Sequence, residues 1–152
     1  MSNIPAWLEF ARRCVGIAER PGDANHPRIM RAPQIIAATY PEMQAYCNCY
    51  TADSIAWCGL AVAAFVTSAG FRPVYGNDDV HRFLYAAAWK DWGDKLTELK
   101  QGAIIVLDHH VALYERTEGS NVILLGGNQS DQVKESAFAK SGVLAIRWPS
   151  GG

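Results

Sequence analysis

The first half of the chain carries apolar residues at helical spacing. In residues 4–20 they recur at intervals of three and four, which predicts an amphipathic helix that ends at a proline–glycine pair. Residues 28–39 fit a weaker helix. The run over 57–68 is apolar on every side, which is typical of a buried helix, and Gly70 follows as its stop. A further helix, capped by an aspartate, is predicted to reach about Lys90.

The pattern changes after Lys100 to short runs of β-branched and alternating apolar residues, separated by turn residues. Five strands are predicted, over 103–107, 110–114, 122–125, 132–138 and 143–148. Helices first and hairpins second predict an α+β fold, with N-terminal helices packed on a C-terminal antiparallel sheet. We expect one domain over residues 1–152, because this length suits a single core.

Charge and hydropathy exclude several classes of protein. Lys plus Arg is 14 and Asp plus Glu is 15, a net charge of −1, so no nucleic-acid partner is expected. No apolar run reaches the roughly 18 residues of a membrane span. The first residues lack the layout of a signal peptide, so we expect synthesis in the cytoplasm without a signal peptide.

The chain has four cysteines. Cys14 falls in the first helical pattern and is predicted to be a buried small hydrophobe. Cys47 and Cys49 would form a cramped disulfide and match no common zinc spacing, so we predict no structural disulfide, no metal and no cofactor. Metal binding by these two cysteines and a histidine is a weaker alternative.

Cys58 stands directly before the buried helical run, in the motif Trp57-Cys58-Gly59. A helix N-terminus stabilises a thiolate, because its unpaired N–H groups and its dipole favour negative charge. Gly59 leaves room for a substrate backbone, and the amide of Cys58 is a candidate oxyanion donor. A buried cysteine at such a place is also common in plain protein cores.

A cysteine hydrolase also needs an imidazole base and a group that orients it. His109 and His110 head a predicted strand, and only one of them can lie on a given face. The small Ala112 shares the face of His110 and would leave space for a cleft, which favours His110. For the third group the residues leave two candidates, Asn128 after a strand end and the nearby Asp108.

Together these segments resemble the CHAP family (cysteine, histidine-dependent amidohydrolases/peptidases), which is allied to NlpC/P60. The Trp-Cys-Gly motif, a His-Val strand and a Gly-Gly-Asn-Gln motif occur in this order. The resemblance is carried by residues 19–22, 53–59, 102–106, 110–114, 124–131 and 146–149.

The resemblance implies a papain-like fold and a Cys58–His110–Asn128 triad. It implies cleavage of an amide bond in the peptide part of peptidoglycan, as an endopeptidase or an N-acetylmuramoyl-L-alanine amidase. The residues expected to contact the substrate are Asp53, Trp57, Gly59, Tyr50 and Gln129.

A phage endolysin or a delivered amidase toxin would fit this chain. It would act on the cell wall, in the periplasm or outside the cell, after release or delivery. We expect a monomer whose partner is peptidoglycan; an immunity protein and a secretion or holin system are further partners left open. The alternative function is a catalytically silent CHAP-like binding or phage structural module.

Overall fold

The computed structural model describes residues 4–17, 34–41, 58–74, 86–129 and 132–152, except for the side chain of Asn128. Two α-helices have defined bounds, α1 (Ala6–Arg13) and α2 (Cys58–Ser68). Residues 34–39 are also helical, and short 3₁₀ helices cover Ala86–Asp91 and Lys140–Gly142. Among the described residues, none of the helices is long and apolar enough to cross a membrane.

Six antiparallel strands form one sheet in the order β1-β6-β2-β3-β4-β5. They are β1 (Asp94–Lys95), β2 (Ile104–Leu107), β3 (His110–Glu118), β4 (Asn121–Gln129), β5 (Gln132–Ala139) and β6 (Ala145–Trp148). The α+β class is therefore confirmed. All five predicted strands are present, and β1 was missed because two exposed residues carry no apolar signal.

The helix α2 is buried on nearly all sides, as its uniform apolar pattern predicted. It packs against β3, β4 and α1. Gly70 lies two residues after its last residue, Ser68, and its φ of 89° is in the left-handed region. The N–H of Gly70 bonds to Thr67 O at 3.0 Å, and that of Phe71 to Val66 O at 3.0 Å, which is the Schellman arrangement.

The helix α1 is shorter than predicted. Its pattern continues to about residue 20, but the helix ends at Arg13, and Gly16 adopts a φ of 100°. The N–H of Gly16 then bonds to Val133 O at 2.9 Å, and the N–H of Val133 bonds to Ile17 O at 2.7 Å. The backbone after α1 therefore pairs with β5 instead of continuing the helical hydrogen bonds.

The predicted helix up to Lys90 is described only in its last part, where residues Ala86–Asp91 form a 3₁₀ helix. Trp89 in this segment is fully buried and belongs to the core. Cys14 is buried as predicted.

An ion pair joins α1 to the sheet. Arg12 donates to both carboxylate oxygens of Glu115, Nε to Oε2 at 3.0 Å and a terminal nitrogen to Oε1 at 2.5 Å. The Glu115 side chain is only 3% exposed, whereas that of Arg12 is 38% exposed. The carboxylate raises the pKa of the Arg12 guanidinium further. This ion pair attaches α1 to β3, the strand that begins at His110.

Candidate active site

The thiol of Cys58 lies at the first residue of α2 and is 5% exposed. Burial raises its pKa, and three backbone hydrogen bonds, from Val111, Gly59 and Cys58 itself, oppose that rise. Two of these N–H groups belong to the first turn of the helix, where they have no helical partner. The backbone N–H groups therefore oppose, but do not outweigh, the destabilisation of the thiolate by burial.

Strand pairing explains why the third N–H, that of Val111, is available. Tyr114 N donates to the carbonyl oxygen of Ala103, the residue before β2, at 2.8 Å. Because alternate residues of a strand bond to opposite neighbours, His110 and Tyr114 bond toward the β2 side and Val111 turns toward β4. The paired residues of β3 and β4 stop at Leu113 and Leu125. The Val111 amide lies beyond that point and faces the sulfur.

The two adjacent histidines have different environments. His109 lies in the two-residue turn between β2 and β3, with a φ of 63°, and its side chain is 93% exposed beside Asp108 at 3.4 Å. His110 begins β3 and is half-buried. His110 directly precedes Val111, whose amide faces Cys58, so the backbone of His110 lies next to the thiol.

The imidazole of His110 contacts Gln129. The distance from His110 Nε2 to Gln129 Oε1 is 2.9 Å. On its face, the ring stacks with Phe138, with ring centroids 5.2 Å apart and planes 24° apart. Burial lowers the pKa of His110, and the hydrogen bond to Gln129 raises it in part. Burial therefore disfavours the charged form of both groups, the thiolate and the imidazolium.

The space beside Ala112 is filled rather than open. Ala112 is fully buried, and a Cβ built on Gly126 would lie 2.7 Å from Ala112 Cβ and 2.9 Å from Gln129 Oε1. The expectation that Ala112 leaves room for a substrate cleft is therefore wrong. The small residues Ala112 and Gly126 leave room for the side-chain amide of Gln129, which contacts His110.

The remaining predicted residues are only partly described. Gly59 is buried and its N–H faces the sulfur. Gln129, expected to contact the substrate, is 4% exposed and turned toward His110. Asn128 lies in β4, but its side chain is outside the described part of the chain. The positions that lie wholly outside it are Tyr50, Asp53, Trp57, Cys47 and Cys49.

Three contributors to this site escaped the sequence reasoning: Val111 through its amide, Phe138 through its ring, and Gly126 through its missing side chain. Only Gly126 had a signal, because a glycine inside a strand marks a close approach. In the part of the chain that the structure describes, no group of three His, Cys, Asp or Glu side chains is arranged to hold a metal ion.

Chemically, the arrangement combines a thiol, backbone donors around it, and an imidazole held on a neighbouring strand. Comparison with family models, with curated proteins and with solved structures finds no match. The resemblance to the CHAP family therefore rests on the sequence motifs alone.

Proposed function

We propose that this protein is a cysteine hydrolase that cleaves an amide bond in the peptide part of peptidoglycan. One observation carries the proposal: the backbone N–H of Val111, the residue that follows His110, opposes the rise in the pKa of the Cys58 thiol, so the start of β3 lies beside that thiol. A thiol at a helix start and an imidazole on the adjoining strand are the two groups that acyl transfer through sulfur requires.

In this mechanism the Cys58 sulfur attacks the amide carbonyl while His110 takes the thiol proton. A carbon–sulfur bond forms, and the imidazolium then gives its proton to the leaving amine as the carbon–nitrogen bond breaks. Water, activated by the same imidazole, hydrolyses the thioester and regenerates the thiol. The N–H groups around the sulfur support its negative charge, and the amide of Cys58 is the first candidate for the oxyanion.

The substrate class comes from the resemblance in motifs. A papain-like arrangement of the α+β fold belongs to the same proposal, and so do an endopeptidase or amidase cut and a role as phage lysin or delivered toxin. The protein would act on the cell wall after release or delivery.

The direct test adds purified protein to isolated sacculi and identifies the soluble fragments by mass spectrometry, which also names the bond cut. Cys58→Ser should abolish release, whereas Cys14→Ser, a change at another buried cysteine, should retain it. Equal release by the Cys58→Ser protein would contradict the proposal.

The base is tested by the adjacent pair of histidines. His110→Asn should abolish release, and His109→Asn should leave it intact, because asparagine tolerates the left-handed conformation of the turn. Loss in the His109 variant alone would reassign the base.

Burial of the thiol, with the rise in pKa that follows, is the observation that favours the second candidate, a silent binding or phage structural module. Such a module would sediment with sacculi and release nothing, and Cys58→Ser would bind equally well.

A further inference from the structure

The side chain of Gln129 is fixed at both ends of its amide. Its nitrogen Nε2 donates to Leu124 O at 3.1 Å and to Lys134 O at 2.6 Å. Both partners are carbonyl oxygens, which only accept, so the nitrogen of the amide must face them. The amide oxygen consequently points the other way and cannot exchange places with the nitrogen without losing both bonds.

That oxygen determines the protonation of His110. Gln129 Oε1 lies 2.9 Å from His110 Nε2 and can only accept, so Nε2 must carry the hydrogen. In the neutral imidazole the other ring nitrogen, Nδ1, then holds the lone pair. Two backbone carbonyls on β4 and β5 thus select, through one amide, which nitrogen of His110 acts as base.

The absence of a side chain at Gly126 makes room for the amide of Gln129. A Cβ at this position would approach Gln129 Oε1 to 2.9 Å, closer than such contacts occur. The φ of Gly126 is not in the left-handed region, so lack of bulk is what the position requires. Gly126 and the two carbonyls together fix the amide of Gln129, and its oxygen is the atom that contacts the ring of His110.

We propose that Gln129 is the positioning residue of this site, holding the His110 proton on Nε2 so that Nδ1 receives the thiol proton. The effect on rate rests on the proposed function, but the tautomer is a property of the free protein. When Nδ1 gains the proton, the Nε2–H bond to Oε1 persists in the imidazolium and becomes charge-assisted. The family resemblance instead implied Asn128, the neighbour of Gln129, for this role.

The tautomer is measured by NMR of protein labelled with ¹⁵N at histidine, with the His110 signals identified by their loss in His110→Asn. We expect the Nε2–H form in the wild type. Gln129→Met, which keeps the length but not the amide, should give a mixture of tautomers and a lower pKa for His110. Gln132→Met, the same change at the residue paired with Gln129, is the matched control and should change neither.

The activity measurement follows peptide release from sacculi. Gln129→Met should lower kcat by about tenfold or more, within the roughly 10²–10⁴-fold that a general base supplies, with KM nearly unchanged. Asn128→Ala serves as the competing variant. If it shifts the tautomer and Gln129→Met does not, the proposal is overturned in favour of Asn128.

Two further outcomes keep the two proposals separate. An Nδ1–H tautomer in the wild type would overturn the role of Gln129 even if every Gln129 variant failed to fold. An Nε2–H tautomer that is lost in Gln129→Met, in a protein that releases nothing from sacculi, would support the positioning role and refute the hydrolase.

Discussion

Gly126→Ala is the most informative single change, because one methyl group would press on the fold and on the site together. The added Cβ would lie 2.7 Å from Ala112 Cβ and 2.9 Å from Gln129 Oε1. Ala112 is fully buried on β3, so β4 must move away or the amide must shift. Overpacking of this kind costs about 1–3 kcal/mol.

With two contacts below 3.0 Å, we expect a loss of about 2–3 kcal/mol in the free energy of unfolding, measured by urea denaturation. At this chain length that corresponds to a fall in Tm of roughly 4–12 °C. Activity should fall further than the folded fraction does, because the amide oxygen leaves His110. Gly142→Ala, where the new Cβ meets nothing within 4 Å, should stay within about 0.5 kcal/mol of wild type.

A second variant separates the two contacts. Ala112→Gly combined with Gly126→Ala moves the methyl group from β3 to β4 and removes the 2.7 Å clash. The double variant should be more stable than the sum of the single changes by about 1–2 kcal/mol. The contact with Gln129 remains, so activity should stay low. Wild-type stability and activity in Gly126→Ala would refute the reasoning.

Three other predictions concern charge and burial. Arg12→Leu leaves the carboxylate of Glu115 buried without its partner. The free energy of unfolding, measured by urea denaturation, should fall by about 2–3 kcal/mol, which is less than the roughly 3–5 kcal/mol for breaking a fully buried ion pair because Arg12 is partly exposed. The control Arg13→Leu should lower it much less. Burial holds the pKa of His110 below its ordinary value of about 6.5, so the unfolded chain binds a proton first on acidification. The free energy of unfolding should therefore fall as the pH drops from about 6.5 to the pKa of His110 in the folded protein. Activity should fall as the pH drops through that same pKa. In His110→Asn, this part of the pH dependence of stability should be absent. Iodoacetamide should modify Cys58 in the folded protein at least about tenfold more slowly than in urea at pH 7.5, read by peptide mass spectrometry, because its pKa is raised; equal rates would contradict the burial.

Local pattern predicted most of the described fold. The strands β2 to β6 follow from runs of β-branched residues between turn signals, and α2 follows from a run that is apolar all round. The end of α1 could not be predicted, because it depends on hydrogen bonds between Gly16, Ile17 and Val133, which lie more than 100 residues apart. The pairing of Arg12 with Glu115 is hidden for the same reason.

The site was predictable in its residue types but not in its contacts. The sequence pattern puts Cys58 at a helix start and His110 at the head of a strand, and the structure has Cys58 as the first residue of α2 and His110 as the first residue of β3. The contact between Gln129 and His110 depends on where the side chains of β4 point beyond Gly126. Carbonyls of Leu124 and Lys134 hold the amide of Gln129 in place, and no local pattern in the sequence reports the position of such backbone oxygens.

The pairing of residues 16 and 17 with Val133 has a consequence for self-association. The strand β5 lies at the edge of the sheet, where unpaired amides invite a strand from another molecule. The backbone that follows α1 occupies part of that edge through two hydrogen bonds. Shortened forms that begin beyond residue 17 would lose these two hydrogen bonds and leave that part of the β5 edge unpaired. They should therefore be prone to strand exchange and aggregation even though every residue of the sheet is present.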